Sequence, residues 1–159
     1  MKIDDENSFL KNKISKIKEL PHTADIKYSI KGDSLNEAFE LCGYCFGLTI
    51  TNLKMIKQIE NIDFELVSED LEGLLYDFIS ELIFLFDTKH LILSNFTLVD
   101  IKKENSAYKL KVKGKGQEFN PEIHDMGTEI KAMTYSEMKI DVDYSNFMNP
   151  VSIIVVFDI

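Results

Sequence analysis

Arginine is missing from this sequence: all 18 basic residues are lysines. No planar guanidinium fork is therefore present for bidentate phosphate or carboxylate recognition, and any phosphate contact must use a lysine ammonium or a backbone N–H. Cysteine is nearly missing as well. Cys42 and Cys45 are too few for the disulfide framework of a small secreted domain. No apolar run reaches the roughly 20 residues that cross a bilayer, and the opening MKIDDENS is acidic where a signal peptide is basic and then apolar. These features read as a soluble intracellular protein of the cytoplasm, or of the nucleus in a eukaryotic host. Basic charge is in deficit, 18 lysines against 27 acidic residues for a net charge of −9. Such a surface repels nucleic-acid backbones and anionic membranes, which argues against autonomous RNA or DNA binding and against membrane association.

What is there suits one packed core: 159 residues, 45% hydrophobic and 28% charged, without internal repeat or low-complexity segment. Residues 1–20 are polar, with Phe9, Leu10, Ile14, Ile17 and Leu20 as sparse apolar points, and read as a flexible or weakly docked extension to a single domain over 21–159. Pro21 opens His22-Thr23-Ala24-Asp25, after which Ile26, Tyr28 and Ile30 alternate with polar residues as a strand. Ser34 with Glu37 is a capping-box pattern, and the helix it starts should close at Gly47. A strand is expected over Ile62–Leu66. Leu71, Leu74, Leu75, Phe78, Ile79, Leu82 and Ile83 then recur at spacings of three and four, behind a cap at Ser68-Glu69-Asp70. From His90 the period changes to two, predicting strands over Leu91–Ile101, Tyr108–Val112, Ile130–Val142 and Val151–Ile159. That order predicts an α+β fold with two helices packed on a curved, largely antiparallel sheet. The stretch from Gly114 to Thr128 is long for a connection and suggests a functional loop.

Asp158 is the anomaly of the last strand. It shares a face with Ser152, Ile154 and Val156, and the sequence closes one residue later with a second carboxylate on Ile159. Either this is a solvated strand end, or it is part of a hard-cation site that needs a further oxygen ligand. Asp25 is a candidate only through the resemblance described below, because on pattern alone His22-Thr23-Ala24-Asp25 reads as a plain side-chain-capped turn. Lys131 reads first as a snorkelling surface lysine. Cys42-Gly43-Tyr44-Cys45 is a C-x-x-C, but it sits late in its helix, where the dipole raises a thiol pKa. With only His22, His90 and His124 besides, a zinc site is disfavoured and paired core thiols are favoured. Lys109, Lys111, Lys113 and Lys115 share one strand face without interleaved aromatics, the pattern of a solvated outer face or of docking onto an acidic partner.

Four segments together resemble the archease family, which activates the RtcB-type tRNA-splicing ligase. They are His22-Thr23-Ala24-Asp25; Glu69 through Asp77 with Phe84-Leu85-Phe86-Asp87-Thr88; His124 through Tyr135; and Phe157-Asp158-Ile159. Departures are modest: Phe78 stands where the family often has Trp, Ser80 where it often has Asn, and Asp125-Met126 where Glu-Pro is common. The resemblance implies a divalent metal, calcium with magnesium or manganese as alternatives, held by Asp25, Asp158 and Ile159. It implies that Lys131 is the functional lysine, acting with the ligase rather than as a free-standing catalyst. The implied role is to promote guanylylation and multiple turnover of the ligase, with tRNA reached only through it. The alternatives are a metal-stabilised binding or chaperone-like module with another partner, and a thiol oxidoreductase using Cys42 and Cys45.

Overall fold

Period-3.6 hydrophobicity becomes two core helices, α2 (Leu35–Ile50) and α3 (Leu71–Lys89), in a computed structural model that describes residues 3–159. Ser34 caps α2 by accepting the Glu37 N–H at 3.2 Å, and Asp70 caps α3 by accepting the Gly73 N–H at 2.6 Å, so each helix starts where an orphan donor finds a side-chain oxygen. His90 ends α3 in the left-handed region (φ 55°), its N–H donating to the Phe86 carbonyl at 2.8 Å.

The strands form two antiparallel sheets. One runs β1 (Ile17–Leu20), β2 (Asp25–Gly32), β8 (Val151–Asp158) and β6 (Ala132–Met133), with β7 (Lys139–Asp141) also pairing β8. The other runs β3 (Glu60–Ser68), β5 (Ala107–Glu118) and β4 (Leu91–Glu104). The helices pack against both, and Phe78 joins the layers, its ring 6.3 Å from Phe39, 6.2 Å from Phe64 and 6.0 Å from Phe96. The fold is α+β as expected, but among the described residues it has three α-helices and two sheets in place of two helices on one curved sheet. Alternation predicts that a segment is a strand and leaves its partner open; pairing is decided by which edges meet over the core.

Residues expected to be a loose extension carry structure: α1 (Ile3–Ile14) and then β1, which pairs β2 over four residues. Leu10 is buried, and Lys13 and Lys16 reach Glu37 of α2 at 2.8 and 2.7 Å. Tertiary ion pairs and one apolar anchor hold a segment whose own periodicity is weak. Gly47 does not close α2, which continues to Ile50; a Cβ at Gly47 would lie 2.7 Å from Leu53, so the residue serves close packing instead. The strand expected over Ile130–Val142 is broken into β6 and β7 by a turn in which Thr134 Oγ1 accepts the Ser136 N–H and Glu137 takes φ 55°. β5 extends to Glu118, which narrows the irregular stretch to residues 119–131. Among the described residues, no helix is long and apolar enough to cross a membrane.

Candidate functional site

β8 lies between β2 and β6, and this brings three distant segments to one end of the sheet. Asp25 is directly opposite Asp158 in the β2–β8 register, and Ala132 is opposite Asp158 on the other side. The Lys131 N–H donates to the Asp158 carbonyl at 2.8 Å. Residues opposite one another on neighbouring strands share a face with Cβ atoms about 5 Å apart, so both carboxylates leave the same side of the sheet. Phe157 and Met133 take the other side and are buried in the core. Like charges in that arrangement destabilise a sheet unless a cation lies between them. Neither carboxylate has a lysine ion-pair partner among the described residues; the nearest basic atom is His22 Nδ1, 3.9 Å from Asp25 Oδ2.

The backbone entering β2 is strained. Ala24 has φ 68°, a left-handed conformation that an alanine adopts at a cost of about 1 kcal/mol and that turns the chain to deliver Asp25 into the first register position. Beside it, His22 Nε2 lies 2.6 Å from Glu137 Oε2, and the Lys27 ammonium donates to Glu137 Oε1 at 3.1 Å. Hydrogen bonds from Lys27 and His22 hold the Glu137 carboxyl below its ordinary range. Glu137 had no sequence signal: it is 115 residues from His22, in a turn that interrupts a predicted strand.

The donor set can be tested against a hard divalent cation. Two opposed carboxylates supply oxygen ligands of the right type, but among the described residues no group of three His, Cys, Asp or Glu side chains is placed to hold a metal ion. A third donor must therefore be a main-chain oxygen or water; Ile159, half-buried and next to Asp158 in the chain, carries a main-chain oxygen of the right type. Lys131 is exposed and forms no ion pair among the described residues; its tie to the carboxylate pair is through the backbone.

Other candidates lie elsewhere. Cys42 and Cys45 are fully buried within α2, and burial pushes both thiols well up, so they are not poised as thiolates. The Lys109–Lys115 stripe belongs to the central strand of the three-stranded sheet. Glu65 on β3 lies 3.3 Å from the Lys109 ammonium and 4.0 Å from that of Lys111, so neighbours partly neutralise the stripe.

The Archease protein family matches residues 18–159, nearly everything after α1. The chain belongs to the archease family. Relatives agree: a protein archease of Pyrococcus furiosus is 42% identical over 120 residues, spanning 76% of this chain and 84% of that protein. A protein archease-like of Drosophila melanogaster is 36% identical over 135 residues, 83% of this chain and 85% of its own. The archease fold is shared by a solution structure from Methanobacterium thermoautotrophicum, at 28% identity and a TM-score of 0.77, covering 91% of this chain and 99% of that one. A crystal structure of an archease, "possible chaperone", from Thermotoga maritima aligns at 26% identity and a TM-score of 0.56, covering 89% and 96%.

Proposed function

We infer that this protein is an accessory factor, not a catalyst in its own right, that activates an RtcB-type tRNA-splicing ligase in the cytoplasm. The ligase is its protein partner, and tRNA is reached only through it. The observation that carries the reading is the opposition of Asp25 and Asp158 at one sheet end, with the Lys131 main-chain N–H donating to the Asp158 main-chain carbonyl. Family membership supports it, since these are the segments by which the sequence resembles the archeases.

Asp25, Asp158 and a main-chain oxygen of Ile159 would hold a divalent cation, with calcium the first candidate and magnesium or manganese the alternatives. When bound, the cation supplies charge that draws phosphate oxygens to this end of the sheet and neutralises the paired carboxylates. The strained Ala24 turn positions Asp25, and the salt-bridged Glu137 holds His22 and Lys27 beside it. Lys131, exposed and unpaired among described residues, is free to meet an anionic group of a guanylate donor as the ligase is guanylylated. A net charge of −9 suits a protein that leaves RNA to its partner.

The test is multiple-turnover RNA ligation by the matching ligase with GTP and divalent metal. Substoichiometric wild-type protein should raise turnover strongly, and Asp25→Ala and Lys131→Ala should each remove most of that stimulation, by at least about tenfold, while circular dichroism stays native. Full stimulation by both variants refutes the reading. The description of the Thermotoga maritima archease as a possible chaperone supports a second reading, a metal-stabilised module with other clients. That reading expects capture of many proteins rather than one ligase.

A further inference from the structure

Residues 119–131 run without regular secondary structure apart from a turn, yet the core anchors them. The Gly127 N–H donates to the Ile50 carbonyl at 2.7 Å, the Thr128 N–H to the Thr49 carbonyl at 2.8 Å, and Thr51 Oγ1 to the Asp125 carbonyl at 2.6 Å. Inside the loop, buried His124 accepts the Asn120 N–H on Nδ1 at 2.9 Å, which leaves Nε2 to donate to Gln117 Oε1 at 3.1 Å. So many anchors make the loop a fixed surface, and that surface keeps Ile123 54% and Met126 56% exposed. With Ile59, 64% exposed, they put apolar surface at the clefts that the loop walls.

The loop walls two adjoining clefts that share Phe119 and Pro121. One, of about 680 Å³, is lined also by Phe86, His90 and Met126; the other, of about 550 Å³, by Ile59 and Ile123. Asp87 and Glu129 border the first, Glu60 and Glu118 the second, and among the described residues no lysine lines either cleft. Glu129 is two residues from Lys131, so the clefts lead along the chain to the carboxylate pair.

We propose that this double cleft docks the protein partner through an extended segment bearing apolar anchor side chains flanked by lysine or arginine. The proposal rests on the activator reading and names the surface by which the partner is held. Charge selects the occupant: a second copy would bring four carboxylates against four, whereas a basic segment pairs with all of them. Apolar side chains would fill the floor around Phe119, and their burial would supply the affinity that rim charges do not.

The concentration of this protein that gives half-maximal stimulation of the matching ligase separates docking from chemistry. An Asp87→Lys/Glu129→Lys double variant and an Ile123→Ser/Met126→Ser double variant, all at exposed positions, should raise that concentration at least tenfold and leave the plateau unchanged. The charge variant should also lose most of the salt dependence seen with wild type. Half-maximal concentrations equal to wild type for both variants overturn the cleft while leaving the activator reading intact. A lowered plateau at unchanged half-maximal concentration overturns it too, because the clefts would then act in the chemistry. No stimulation by the wild-type protein overturns the activator reading, and the docking proposal with it.

Discussion

Replacing Glu37 by Gln tests whether ion pairs fasten the amino-terminal segment to the core. Glu37 Oε2 accepts from the Lys13 ammonium at 2.8 Å, while Oε1 accepts from Lys16 at 2.7 Å and from the Asp33 N–H at 2.9 Å. Partial burial pushes the carboxyl up, but the two ammonium groups and the N–H outweigh it and hold the pKa at about 2. A carboxylate depressed on folding stabilises the protein above its unfolded pKa, near 4.5, and that stability is lost as pH falls through about 2. The full shift corresponds to about 3 kcal/mol; because the Glu37 and Lys16 side chains remain 16% and 24% exposed, solvent screening reduces this to about 1–2 kcal/mol. Gln retains an acceptor for the Asp33 N–H, so the substitution isolates the charge. Urea denaturation followed by circular dichroism should show Glu37→Gln less stable by about 1–2 kcal/mol at pH 7, and by less than half of that at pH 3. A difference within about 0.3 kcal/mol at pH 7, or one that is the same at both pH values, refutes the reasoning.

Gly43→Ala should destabilise the protein by about 1–3 kcal/mol despite alanine's better helix propensity, because the added Cβ would lie 2.5 Å from the Phe96 ring and 3.1 Å from that of Phe78. A stability equal to wild type in the same urea titration would mean that β4 yields at no cost. Cys42 and Cys45 should resist alkylation by iodoacetamide at pH 8 in native protein and react fully in 6 M guanidinium chloride, as read by mass spectrometry. Rapid native labelling would contradict their placement in the core.

α3 was legible in nearly every detail. Its stripe from Leu71 to Ile83 is buried, and the Ser68-Glu69-Asp70 start resolves into a cap by Asp70. Such features are local: a helix face and its first unpaired N–H lie within a few residues of one another. Asp158 was legible as an anomaly for the same reason, since a carboxylate on an otherwise largely apolar strand face is visible from alternation alone. Its partner was legible only through resemblance to a family. Nothing in residues 22–25 states that they will lie opposite residue 158, because register across strands so far apart in the chain depends on how both pack over the helices. Glu137, which clamps His22 and Lys27, was invisible in the sequence for the same reason.

By itself, the sequence determined the two core helices, most of the strands, the α+β class, the absence of guanidinium chemistry and the acidic balance, all of which follow from residue type and near-neighbour spacing. Tertiary structure alone decided that the strands divide into two sheets, that residues 17–20 add a strand to β2, and that Asp25, Asp158 and Lys131 meet at one sheet end. It also turned an irregular loop into an anchored apolar surface. The division has one physical cause: periodicity and capping are properties of a segment, whereas pairing, ion-pair partners and clefts are properties of distant segments competing to cover the same core.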